Sequence, residues 1–146
     1  MSIEIESAKL GKLSVNPDLL LTFPEGIPGF QRIKEYALIE PGNDSPFYWL
    51  QAFKDPELAF VVTDPLFFKA DYHPSYPEEE IKLLNVDDPK SLITLVLVTI
   101  PQGEPQRSTA NLMAPICINP ANRTGKQVIL YHCDYSHQTP LFLQKT

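Results

Sequence analysis

The residues with the widest chemical range sit together near the C-terminus. His132, Cys133 and Asp134 are consecutive, and His137 follows shortly after. Imidazole, thiolate and carboxylate are the donors that hold zinc, and a thiol beside an imidazole can be activated as a nucleophile. This gives one enzymatic reading, a small-ligand or metal-dependent enzyme using His132, Cys133 and His137. The spacing works against it. Adjacent residues on a strand point to opposite faces, so His132 and Cys133 cannot both face one ion if a strand continues that far. The other cysteine, Cys117, is too distant for a CxxC zinc knuckle, and two cysteines make no disulfide framework. Both read as ordinary thiols.

Carboxylates form the second group. Glu78, Glu79 and Glu80 follow Pro77, where the positive end of a helix dipole favours anions, and Asp87-Asp88 reads as a helix cap. Asp64 before Pro65 is a turn former. Phosphate loops of the GxGxxG or GxxxxGKS/T type, a GxSxG elbow and an HExxH helix do not occur. Between these acids lies an aromatic-rich stretch from Leu66 to Pro77, with Phe67, Phe68, Tyr72 and Tyr76 separated by Asp71 and His73. Such a loop is either a lid over the core or a binding surface with aromatic anchors. A lid is the simpler expectation, because this many exposed rings on a monomer would promote aggregation.

The elements that must position these groups are punctuated by proline. Fifteen prolines stand beside six glycines in 146 residues, about twice the usual proline share of roughly 5%. They are spread along the chain, so long helices are excluded and each interval holds a strand or one helical turn. Ile3 and Ile5 start a hairpin with Leu13 to Val15, and strands are predicted at Leu19 to Phe23 and Tyr36 to Ile39. A helical turn is expected at Gln31 to Lys34. Phe47 to Phe53 and Leu58 to Thr63 read as a hairpin around Lys54-Asp55-Pro56-Glu57. The best helix begins at Pro77, taken as its first residue, and carries Ile81 and Leu84. A second helical turn is expected at Asp87 to Ser91, with Asp87 as cap. Leu92 to Ile100 is apolar and β-branched and reads as the central strand. Ser108 to Met113, Ile116 to Ile118 and Gln127 to Tyr131 supply further strands, with Asn119 to Gly125 as a loop. The class is mainly β: a small antiparallel β-barrel-like domain with one short helical insertion, single over 1–146.

Eighteen acidic against twelve basic residues give a formal charge of -6, with a pI near 5.0 and a mean hydropathy of -0.14. No Lys/Arg cluster offsets this, so no direct nucleic-acid contact through phosphates is expected. An acidic surface favours a basic protein partner. No signal peptide is recognisable, and the longest apolar run, Leu92 to Ile100, falls far short of the roughly 20 residues of a spanning helix. A soluble, cytoplasmic chain without membrane contact or cofactors is expected.

Several strings then combine. Phe23-Pro24-Glu25-Gly26-Ile27-Pro28-Gly29-Phe30, Ser45-Pro46-Phe47-Tyr48-Trp49-Leu50-Gln51, Asp55-Pro56-Glu57-Leu58-Ala59-Phe60 and Asp64-Pro65 occur in order. Asn111-Leu112, Ala114-Pro115-Ile116, Asn119 and Gly125-Lys126-Gln127-Val128 follow. Their order and spacing resemble the flagellar assembly factor FliW family, over residues 1 to about 142. The resemblance implies a non-enzymatic protein with two partners, flagellin and the RNA-binding translational regulator CsrA. In such a circuit the free factor sequesters CsrA so that flagellin is translated, and accumulating flagellin captures the factor and releases CsrA. Two surfaces are expected to serve it. Asp71, Glu78, Glu79, Glu80 and Asp87 would recruit basic CsrA, and an apolar surface near Phe67 and Phe68 would receive an amphipathic flagellin segment as a helix in a groove. The segment Tyr131 to Gln138 matches no motif of the family.

Overall fold

The computed structural model describes residues 3–40, 45–131 and 133–142. Short runs closed by Pro, Gly or Asx turns give eleven strands and one α-helix among these residues: β1 Ile3–Ser7, β2 Gly11–Val15, β3 Leu20–Thr22, β4 Glu35–Ile39, β5 Phe47–Ala52, β6 Ala59–Thr63, α1 Glu78–Ile81, β7 Ile93–Thr99, β8 Thr109–Ala110, β9 Ile116–Asn119, β10 Thr124–Gln127 and β11 Thr139–Pro140. Seven strands close a barrel in the order β3-β4-β5-β6-β7-β9-β10, and β10 returns to β3 through the single parallel pair Thr124↔Thr22. The other neighbours in the ring are antiparallel.

The period-two pattern of each strand sorts its side chains into inner and outer sets. Tyr36, Leu50, Ala52, Val62, Leu95, Ile116 and Ile118 fill the barrel with Phe23, which directly follows β3, and Ile27 of the Pro24–Phe30 loop. The rings lock edge to face: Phe23 meets Tyr36 at 5.4 Å and Phe30 meets Phe60 at 5.3 Å between centroids. Burial pushes the Tyr36 phenol up to about 12, with the Asp55 charge adding to the effect.

Three outer clusters cover the barrel wall. The β1–β2 hairpin lays Ile5 and Val15 over Ala37, with Ile39 and Phe53 beside them. Val96, Val98, Ala110, Leu112 and Leu141 form a second cluster under Tyr72, and Ile81, Leu84, Cys117, Val128 and Leu130 form a third under α1. Buried Gln51 pins the β5–β6 turn: its side-chain amide lies 3.1–3.3 Å from the carbonyls of Ala52, Asp55, Pro56 and Leu58.

Both predicted hairpins and the central strand form, and β7 is buried on both faces at Leu95, Val96 and Val98. Other expectations shift. Gln31 to Lys34 is a non-helical turn, with the Ile33 N–H donating to the Phe30 carbonyl. Pro77 lies one position before α1 as its N-cap, with an extended ψ of 137°. Asp88, not Asp87, caps the 3-10 turn Pro89–Ser91, because its carboxylate accepts from the Lys90 N–H at 3.0 Å. The strand expected at Gln127 to Tyr131 is earlier, since Arg123 takes a positive φ of 57° and turns the chain back so that Thr124 pairs with Asn119. Only Thr109–Ala110 of the Ser108 to Met113 run pairs as a strand.

Candidate partner-binding surface

The aromatic-rich segment divides residue by residue between lid and surface. The Asp64 carboxylate accepts from the Leu66 N–H at 2.9 Å and sets a 3-10 turn over Pro65–Phe67. That turn throws two large apolar side chains outward: Leu66 is 55% and Phe67 60% exposed. Phe68 turns the other way and packs against the Tyr72, Val96 and Val98 cluster. Tyr72 is buried; its hydroxyl donates to the Leu112 carbonyl at 2.7 Å and its ring stacks edgewise on Tyr135 at 4.6 Å. The His73 N–H donates to the Tyr135 hydroxyl at 3.0 Å. The segment is therefore a fixed wall with an apolar outer edge.

Between this wall and the start of β7 lies a groove of about 900 Å³. Its floor is the barrel itself, since Leu38, Tyr48 and Leu95 belong both to the groove lining and to the inner cluster. Leu66 and Ile93, the latter 44% exposed, form apolar lips, with Asp64, His73 and Lys90 as polar lining. The Tyr76 and Thr94 hydroxyls bond at 3.0 Å on the wall. Behind them burial pushes the Cys117 thiol up to about 11, so it is held neutral.

The carboxylates of α1 divide too. Ile81 and Leu84 anchor the helical turns, and the Leu84 carbonyl accepts from the Asn119 and Asn122 amides at 2.8 and 3.0 Å. Glu78 and Glu79 face outward and share a second concavity of about 800 Å³ with Asp87, Lys82 and Pro89. Pro89 also lines the groove, so the two surfaces are continuous. Glu80 turns back to Lys126 at 2.9 Å, and Lys126 lies 3.6 Å from Glu25. Burial alone would lower the Lys126 pKa, but these two carboxylates outweigh it and hold the ammonium above its ordinary value. Asp71 is exposed beside Lys69 at 3.2 Å.

Of the residues singled out in the sequence, the structure gathers Glu78, Glu79 and Asp87 on one shelf and sets Phe67 outward. It turns Phe68 inward and engages Glu80 with Lys126, and Asp71 with Lys69. The groove residues Leu38, Tyr48, Ile93 and Leu95 were not legible as surface, because strand periodicity marks them only as core. His132 lies outside the described residues. The Cys133 thiol donates to the Leu130 carbonyl at 3.2 Å, and His137 is exposed. No group of three His, Cys, Asp or Glu side chains among the described residues is placed to hold a metal ion. No helix among them is long and apolar enough to cross a membrane.

Comparison with known proteins agrees with this architecture. The family model described as FliW protein matches residues 4–141. The flagellar assembly factor FliW of Leptospira interrogans serogroup Icterohaemorrhagiae serovar copenhageni is 41% identical over 142 residues, covering 97% of this chain and 95% of that protein. That of Moorella thermoacetica is 39% identical over 140 residues, covering 96% and 89% respectively. A solved structure, described as the crystal structure of the flagellar assembly factor FliW, superposes with a TM-score of 0.90 at 30% identity, over 99% of this chain and 100% of that one. With sequence and barrel topology matching over nearly the whole length, the chain belongs to the FliW family of flagellar assembly factors.

Proposed function

We propose that this chain is a non-catalytic, cytoplasmic partner switch, a single domain over 1–146 that binds flagellin and sequesters the translational regulator CsrA, so that flagellin synthesis follows flagellin export. One observation carries the reading: an apolar groove with exposed lips, Leu66 and Ile93, runs into an acidic shelf of Glu78, Glu79 and Asp87 on a closed barrel. Rigid, patch-sized apolar surface bordered by charge is the anatomy of protein recognition. Phe67 extends the apolar edge for flagellin, and the shelf supplies the field for a basic CsrA surface, with Asp71 at its periphery.

The switch needs only mass action. Each complex forms as its free partner exceeds its dissociation constant, and two complexes that exclude one another make the outcome follow the partners' relative concentrations. The test is a calorimetric titration of the purified chain with flagellin and with CsrA, separately and then in competition. Saturable binding of each, with flagellin displacing CsrA, is the expected outcome. A chain that binds neither, or both at once without mutual effect, overturns the reading.

A further inference from the structure

The groove also contains an incomplete sheet edge. β6 pairs with β7 only from Thr63↔Val96 to Val61↔Val98, after which Asp64-Pro65 carries the chain away into its 3-10 turn. Val98 pairs with both Val61 of β6 and Ala110 of β8, which puts β6 and β8 on opposite edges of β7. The Asn111 N–H donates to the Leu97 carbonyl at 2.9 Å and carries the β8 line toward β9, which pairs with Ile93–Leu95. β8 and β9 thus share one edge. On the other edge, no strand among the described residues pairs with Ile93–Leu95.

Both sides of this gap line the groove, Ile93, Thr94 and Leu95 on one wall and Asp64 and Pro65 on the other. The Leu97 carbonyl points to the β8 side, so the main-chain groups of Ile93 and Leu95 point to β9 and those of Thr94 face the gap. An edge left without a neighbour templates another strand, and natural edges are usually short, charged or covered. Here the edge carries a 44% exposed isoleucine. Beneath it the barrel mouth offers Leu38 and Tyr48 to side chains on one face of an added strand. Where the groove passes Pro89, the shelf bears Glu78, Glu79 and Asp87 against one cation, Lys82.

We propose that the Ile93–Leu95 edge is completed by an extended segment of flagellin, which adds a strand to β7. Its alternate apolar side chains seat against Leu38, Tyr48 and Leu95, and a Lys or Arg at its end reaches the acidic shelf. This deepens the functional reading above and rests on it. Main-chain hydrogen bonds supply affinity and the alternating side chains supply selectivity. A segment bound this way covers part of the shelf, so flagellin and CsrA exclude each other by overlap, with no rearrangement of the barrel.

The test titrates flagellin into the wild-type chain and the I93D variant, and follows amide hydrogen exchange of the complex. Peptides of about ten residues tiling flagellin, the usual upper length of a strand, are then screened, and the binder is N-methylated one residue at a time. The expected results are roughly tenfold or greater weakening by I93D, as for a central interface residue, and new protection at the Thr94 amide, the one of the three that faces the open edge. N-methylation should abolish binding at the one position whose N–H meets the Thr94 carbonyl and be tolerated at its two immediate neighbours, whose N–H groups point away from the edge. Flagellin binding without protection at Thr94, or a scan in which positions three to four residues apart are sensitive together, overturns strand addition and leaves the partner reading standing. No binding of flagellin to the wild type overturns both.

Discussion

Gly125 faces into the barrel, and a Cβ built there would lie 2.7 Å from two atoms of the Phe23 ring. The ring is fully buried and held against Tyr36, so it has no room to retreat. Gly125→Ala is therefore expected to cost roughly 1–3 kcal/mol, as overpacking of a filled core does, read as a lower urea midpoint with unchanged slope. The two neighbouring phenylalanines should separate in the same measurement. Phe67→Ala should leave the midpoint near wild type while weakening flagellin binding. Phe68→Ala should lower stability, by less than the roughly 3–5 kcal/mol of a fully buried ring, because the side chain is only partly covered. Sequence could not make that distinction, since Phe67 and Phe68 differ only in which way a turn set by Asp64 throws them. Burial also holds the Cys117 thiol up from 9.0 to about 11 and the Tyr36 phenol up from 10.0 to about 12. Unfolding frees these groups to ionise sooner, so from about pH 9 the unfolded chain binds fewer protons than the folded one and stability falls as pH rises. Their contribution is whole below the ordinary thiol value and lost as pH passes the folded values. A melting temperature that falls between about pH 9 and pH 11, with a shallower onset in Cys117→Ala, is the expected result; a rise would contradict it.

At the scale of elements, hairpins were legible and closures were not. The β5–β6 hairpin is local: alternation and a Pro-containing turn specify it, and Leu50 pairs with Phe60 as that pattern requires. The sequence places the loop at Asn119 to Gly125 and the strand from Gln127 because Thr124-Gly125-Lys126 is polar; the strand state of these residues comes from Asn119 and Thr22, which are remote or lie across a turn. α1 shows the same limit. Its acidic start and its Ile81 and Leu84 anchors were readable, but not that Lys126 of β10 would draw Glu80 away from Glu78 and Glu79. The shelf is thus built from two glutamates of α1 and Asp87. A Glu78→Lys, Glu79→Lys double variant should slow association with CsrA and flatten its salt dependence, because rim charge acts mainly on encounter. Stopped-flow association rates at increasing salt provide the check. Exposed charges further apart than about 10 Å are already screened at 0.1 M, so a wild-type rate indifferent to salt would remove the electrostatic role of the shelf.

For the whole molecule, the abundance of proline is matched by one short α-helix among the described residues, and several prolines flank strands, as Pro46, Pro56 and Pro65 do around β5 and β6. The mainly β class was legible from that punctuation, whereas the groove was not, because it arises where β6 departs from β7 and borrows residues that serve as core elsewhere along their length. The ring itself is closed by one residue pair, Thr22 with Thr124. Those partners are 124 − 22 = 102 positions apart in the chain, and a contact of such long range repays its loop-closure entropy only after the intervening strands have ordered. During synthesis the β4-β5-β6 meander can form as it emerges, while the barrel stays an open, curled sheet until β10 has left the ribosome. A chain whose β10 has not yet emerged would therefore present the inner faces of its strands to solvent, and the interval before that strand pairs with β3 is the one in which the barrel most needs shelter from aggregation.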